Sequence, residues 1–274
     1  MIIRSKEAAA GTELVDTRVS KDWQQRWLRT KKYCCDYQVA RSRDQYQAAF
    51  RLIYDEYLKL GLTQPNSLGL RILPHQLLKS SWVITATIAQ EPQEVVATLS
   101  LLEDGKLGLP MDDLYAAEID RLRDKSKRIG ELTCLAHRPH ADDTMWNRGK
   151  VRATLGTLMR HVTSFAVQRR IDDLVICVHP RHASFYQRRY GFVVLGPQRY
   201  CSWAGGQPAT PLWLDQRGIH EALRTFDAKS GDPKSNMLQA NEHVPVSPAV
   251  TAYFWNLMKE TSPISQWENH AMRA

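Results

Sequence analysis

An α/β chain of the α+β kind, with a mixed, mostly antiparallel central sheet flanked by helices, is what these 274 residues predict. Three observations lead there. The runs WVITATIA (82–89) and EVVATLSLL (94–102) alternate in character around the turn-prone Gln90-Glu91-Pro92-Gln93, as an antiparallel pair of strands would. Gln45–Leu60 repeats apolar residues at Tyr46, Phe50, Ile53, Tyr57 and Leu60, and Val151–Arg170 does so at Val151, Leu155, Leu158, Val162 and Phe165, the spacing of amphipathic helices. Ile171–Gly196 (IDDLVICVHPRHASFYQRRYGFVVLG) reads as strand, turn, short helix and strand.

Residues 1 to about 40 are polar and irregular and predict a loosely helical arm anchored by Trp23, Trp27 and Tyr33. Gly61 closes the first strong helix, and TQPNSLGLRILPH (63–75) is rich enough in turn formers to predict a long surface loop. After the strand pair, EDGKLGLPMDDLY supplies a turn and loop, and AAEIDRLRDKSKR predicts a charged helix. IGELTCLA (129–136) is a strand, followed by the second strong helix. In the segment after it, Leu174, Ile176 and Val178 alternate with Val175 and Cys177 as far as His179-Pro180, where proline ends the ladder. Phe185 and Tyr190 suit one to two helical turns, Gly191 permits a left-handed exit, and Phe192–Leu195 resumes a strand. Arg199–Asp215 reads as a glycine-bearing hairpin tip and a last strand. Beyond it the texture changes to a short helix (216–226), a polar loop and a helix over 249–259, a helical C-terminal appendage too small to be a robust separate domain.

The start has no apolar run of signal-peptide length, and nowhere do eighteen apolar residues follow one another, so the expected location is cytoplasmic, or peripheral on a membrane at most. The five cysteines lack C-x-x-C spacing and the histidines are not spaced as ligands, so neither a disulfide framework nor a metal site is expected. The net charge of +8 is uneven: residues 121–190 hold 15 Lys/Arg against 6 Asp/Glu. A positive field of this kind suits an acidic protein, anionic lipid or nucleic acid, or is a solvated face. No recognition helix or aromatic RNA-binding strand is present, which ranks nucleic acid low.

Glu131 is the sharpest single residue. Alternation puts its carboxylate on one strand face with Ile129, Thr133 and Leu135, where an unpaired charge is costly. A bound amine, a general-base role with a raised pKa, or a structural pair with a nearby arginine each explains it.

The strand, the short helix bearing Phe185-Tyr186 and the Gly191-Phe192 that opens the next strand resemble the second half of the GNAT superfamily of N-acyltransferases. Taken together, YQAAFRLIYDEYLKLGLTQPNSLGLR, KLGLPMDDLYAAEIDRLRDKSKRIGELTCLA, VHPRHASFYQRRYGFVVLG and Gly206–Ala209 narrow this to the long-chain N-acyl amino acid synthases, relatives of the acyl-homoserine lactone synthases. The resemblance implies a GNAT-like acyltransferase domain over 45–214, between an arm (1–44) and the appendage (215–274). It implies transfer of a medium- or long-chain fatty acyl group from an acyl carrier protein thioester to the α-amine of an amino acid, with no bound cofactor beyond the acyl-phosphopantetheine donor. Glu131 would hold the ammonium and take its proton, backbone amides around Cys134, Leu135 and His137 would face the oxyanion, and Tyr186 would protonate the departing thiolate. His137 and His179 lie near the same edge.

One departure concerns the donor. Coenzyme-A-using relatives carry a glycine-rich pyrophosphate loop ahead of the long helix, whereas HRPHADDTMWNRGKVR offers only Gly149. A carrier-borne pantetheine has a single phosphate on an acidic partner, which makes Arg148, Lys150, Arg152, Arg181, Arg188 and Arg189 the candidate docking residues. The rivals are an acyl-homoserine lactone synthase acting on S-adenosylmethionine and a non-catalytic acyl-carrier or lipid-binding module on the same fold.

Overall fold

The alternating runs at 82–102 do pair, and the rest of the sheet grows out from them. The structure, a computed structural model, describes residues 35–88, 91–125, 127–138, 145–230 and 245–261; the expected aromatic anchors of the arm lie outside them. Its strands are β1 (Cys35–Val39), β2 (Ser81–Ile88), β3 (Glu91–Glu103), β4 (Ile129–His137), β5 (Asp173–Val178), β6 (Val193–Val194), β7 (Arg199–Cys201) and β8 (Gln207–Asp215). Among them run helices α1 (Arg43–Lys59), α2 (Asp112–Arg123), α3 (Met145–Gln168), α4 (Pro180–Tyr190), α5 (Gln216–Ser230) and α6 (Pro248–Thr261). The sheet order is β1-β2-β3-β4-β5-β8-β6, with β7 also on β8. Every pairing is antiparallel except β4 with β5, which the α3 crossover makes parallel.

Both faces are covered. On one, Leu158, Val162 and Phe165 of α3 and Ile219 of α5 pack against Trp82, Ile84, Leu101, Leu132 and Leu174. The opposite face is shared: α1 and α6 close over Val83, Val95 and Cys134, while Tyr115 and Ile119 of α2 close over Leu102, Ile129 and Val175. The appendage helix α6 thus belongs to this core, and Phe50 meets Phe254 edge to face at 5.1 Å.

Several expectations need correction. Cys35–Val39, read as part of the arm, is a strand paired with β2. The stretch 63–75 is no surface loop over its second half, because Leu70, Arg71, Ile72 and His75 are buried against α1 and the sheet. Helix α2 starts four residues before Ala116, with Asp112 and Asp113 in its first turn, where the helix dipole favours carboxylates. Helix α4 runs three turns rather than one to two, capped at its start by the His179 ring and closed by left-handed Gly191 (φ 81°).

Phe254 is wholly buried in a cluster of α1 and α6 aromatics. Phe254→Ala should therefore destabilise the chain by about 3–5 kcal/mol in urea unfolding; a loss under ~1 kcal/mol would mean that α6 is not part of the cooperative core.

Candidate active site

The site begins with a break in the sheet. β4 and β5 pair from Ile129↔Asp173 to Leu132↔Ile176 and then part, although β4 continues to His137 and β5 to Val178. The cause is a bulge against β3: Ser100 faces Thr133 and Thr98 faces Ala136, so Cys134 and Leu135 share the place opposite Leu99. Cys134 takes a left-handed backbone (φ 54°), a conformation that costs a non-glycine residue about 1–3 kcal/mol. The extra residue also resets the alternation. Cys134 and Ala136 pack with the α1 side of the sheet, and Leu135 packs on the opposite face rather than on Glu131's face as expected. Beyond the bulge the Arg138 N–H donates to Val96 O at 2.8 Å, so the alternation of an antiparallel ladder leaves the His137 amide turned away from β3, toward the gap.

Glu131 lies just before the parting, between Leu102 on β3 and Val175 on β5, and is only 1% exposed. Its Oε2 accepts from the Met111 N–H at 2.9 Å. That amide is delivered by the loop before α2, where Arg123 binds both Asp104 (2.7 Å) and Asp112 (2.6 Å) and so ties the end of β3 to the start of the helix. No arginine neutralises Glu131 among the described residues. Burial pushes its carboxyl up to about 8, against the pull of the Met111 amide and helped by the charges of Asp112, Asp113 and Asp104.

Tyr186 of α4 sets its ring edge-on to Phe192 at 6.1 Å and packs against the α3 side of the core. Burial raises its hydroxyl to about 12, and that hydroxyl has no hydrogen-bond partner among the described residues. Burial pushes the Tyr57 hydroxyl of α1 up, and Cys134, Arg71 and Tyr186 lie near enough to act on its ionisation, so four groups from different elements gather near the parting. The His179 Nδ1 accepts from the Arg181 N–H at 3.2 Å as the cap of α4. His137 is held below the ordinary histidine range, mainly by burial. The thiol of Cys134 is pushed up, again mainly by burial, which makes it a poor nucleophile. Of the docking candidates, Arg152, Arg181, Arg188 and Arg189 are exposed, while Arg148 and Lys150 stand in the first turns of α3.

Sequence reading missed Arg71 and Trp203. Arg71 is buried beside Cys134, with its guanidinium over the Tyr57 ring at 4.9 Å and the Trp203 ring at 5.9 Å. Trp203 sits on a 3-10 turn between β7 and β8 that ends at left-handed Gly205, whose α-carbon lies too close to the Gly61 carbonyl at the end of α1 for any side chain. The only signal in the sequence was Gly205-Gly206, read as a hairpin tip. The β7 end of the same hairpin is fastened to α2, where Arg199 forks onto Glu118 (2.6 and 2.9 Å) and the Tyr115 hydroxyl donates to Ala209 O at 2.7 Å.

The sequence model of the N-acyl amino acid synthase FeeM matches residues 48–215, which contain every group described at the parting of β4 and β5. The chain belongs to the FeeM family of N-acyl amino acid synthases. Family members are acyltransferases, and an acyl group and an amine are what the site must bring together. A search of curated protein sequences gave no match. Among solved structures, FeeM from uncultured soil microbes superposes with a TM-score of 0.58 at 22% identity, over 70% of this chain and 97% of that one. The coenzyme-A-dependent acyl-homoserine lactone synthase BjaI, bound to SAM and isopentyl-CoA, gives 0.52 at 16% identity over 81% and 100%. The homoserine lactone synthase LasI gives 0.52 at 15% over 69% and 96%. At such identities these likenesses speak for the GNAT-like fold. Among the described residues of this synthase no helix is long and apolar enough to cross a membrane.

The raised Glu131 carboxyl has a consequence for stability. Between about 4.5, its ordinary value, and about 8, the folded synthase holds a proton that the unfolded chain has lost, so its contribution to stability falls as pH rises through that window. Unfolding midpoints at pH 5, 6.5 and 8 should show Glu131→Gln gaining on the wild type at each step. A difference that stays flat with pH would mean the carboxyl is ionised throughout.

Proposed function

We propose that this synthase moves a medium- or long-chain fatty acyl group from the thioester of an acyl carrier protein to the α-amine of an amino acid. The observation that carries the reading is Glu131, a buried carboxyl with no cationic partner among the described residues, placed where β4 and β5 part. In its ionised form a carboxyl poised near 8 is a base well matched to an ammonium group, whose proton it takes directly or through water. The freed amine attacks the thioester carbonyl, and the oxyanion meets main-chain amides of the Cys134–His137 stretch, among which that of His137 faces the gap. As the C–S bond breaks, Tyr186 donates its hydroxyl proton to the thiolate. Of the two protons the ammonium gives up, one ends on the carrier thiol through Tyr186 and one leaves to solvent from Glu131. No acyl-enzyme forms in this scheme.

The carrier as donor is supported by charge. Arg152, Arg181, Arg188 and Arg189 are exposed and have no carboxylate partner among the described residues, and Arg148 and Lys150 belong to the same basic segment. These cations suit a pantetheine phosphate on an acidic helical surface better than a glycine-built pyrophosphate cradle. The setting is cytoplasmic, where carrier and amino acid meet, with at most peripheral contact between product and membrane.

Incubating the protein with fatty acyl carrier protein, and separately with acyl-coenzyme A, plus all common amino acids should give an N-acyl amino acid by mass spectrometry, formed mainly from the carrier. A lactone formed from S-adenosylmethionine would make it a homoserine lactone synthase, and no amide from either donor would leave a binding module. Glu131→Gln should lower kcat by about two to four orders of magnitude. Cys134→Ala should keep turnover; its complete loss in a folded variant would sink direct attack.

A further inference from the structure

Arg71 is a buried cation with no counter-ion among the described residues. Its residue is 9% exposed, its main-chain N–H is used up on Phe50 O, and among the described residues its side chain has one hydrogen-bonding neighbour, the Cys134 Sγ at 3.7 Å. A guanidinium is always charged and offers five N–H donors, and a neutral thiol answers one of them weakly. Among the described residues no carboxylate lies within ion-pair distance of it. Glu131 does not serve, because its Oε2 is taken by Met111 and the charges that act on it most are aspartates. The fork is nonetheless held in place by Tyr57 and Trp203, and the Trp203 turn is seated on the end of α1 at Gly61 and Gly205. A desolvated charge of this kind is expected to be paired, and a planar fork fixed between aromatic rings suits a bidentate carboxylate.

We propose that Arg71 receives the α-carboxylate of the acceptor amino acid, a subsite that rests on the reading given under Proposed function. Arg71 touches Cys134, three residues along β4 from Glu131, a span of about 10 Å between α-carbons. An α-amino acid laid along this span turns its ammonium toward Glu131 and its carboxylate toward Arg71, with the thioester carbon presented at the gap between them. The pantetheine phosphate stands at the far end of its arm from the reacting sulfur and so does not belong here. The subsite makes the synthase select free amino acids and reject amines that lack an α-carboxylate.

Calorimetric binding of N-dodecanoylglycine and of N-dodecanoylglycinamide tests this without turnover. The wild type should prefer the carboxylate at least tenfold, and folded Arg71→Gln should bind both alike. Equal affinity in the wild type, binding of neither compound, or a preference that survives in Arg71→Gln overturns the subsite. If Arg71→Gln fails to fold, Arg71→Lys decides, since a point charge without the fork should lose several-fold of the preference and an unchanged ratio overturns the assignment. Carboxylate preference in a protein that acylates no amine leaves the subsite standing and removes the acyl-transfer reading instead.

Discussion

The parting of β4 from β5 is the constraint on which the rest of the site depends. A parallel pair left in register to its end would have used every amide of β4 in ladder bonds and filled the gap with backbone. One extra residue in β4, absorbed by a left-handed Cys134, turns the strand away after Leu132↔Ile176. The strain is local, and the pairing with β3 on the other side holds it in place through His137. The groups near the gap come from separate elements: α1 with Tyr57, α4 with Tyr186, and the β7–β8 turn with Trp203.

A buried carboxyl and a buried guanidinium flank that parting, and no ion pair joins them. Glu131 is satisfied by one amide from a loop braced by Arg123, which leaves its proton exchangeable rather than locking it as a carboxylate. Arg71 is held by aromatic faces, which support a cation without neutralising it. Had the two been joined as an ion pair they would have stabilised each other, and neither would be available to an ammonium or a carboxylate from outside. The surface charge follows the same division. Arg199 with Glu118 and Arg123 with its three aspartates are structural, while Arg152 and the arginines of α4 are spent on no carboxylate among the described residues.

Much of this was legible in the residues. The spacing of Tyr46, Phe50 and Ile53, the alternation at 82–102, and Gly191 after FYQRRY each reflect a local preference that packing did not overrule. Glu131 was visible because a carboxylate on a strand face with Ile129, Thr133 and Leu135 breaks the strand pattern. The misreadings share a cause as well. Leu135 was put on the wrong face because period-2 reasoning assumes no bulge, and nothing in LTCLA announces that cysteine will adopt a positive φ. Residues 63–75 were read as a surface loop because turn formers describe the backbone and not what the chain lies against.

Sequence alone determined the element order from α1 onward, the mixed sheet, the two main helices, the lone carboxylate on β4 and the aromatic pair on α4, because each is written in periodicity or in a residue that violates it. Tertiary structure decided where the sheet opens, which side of β4 Leu135 occupies, that α6 completes the core around Phe50, and that Arg71 stands buried beside Cys134. These depend on contacts between residues far apart in the chain, such as Arg71 with Trp203 and Phe50 with Phe254. No local pattern encodes them, since a guanidinium's partner, or its lack of one, is a property of the packed molecule.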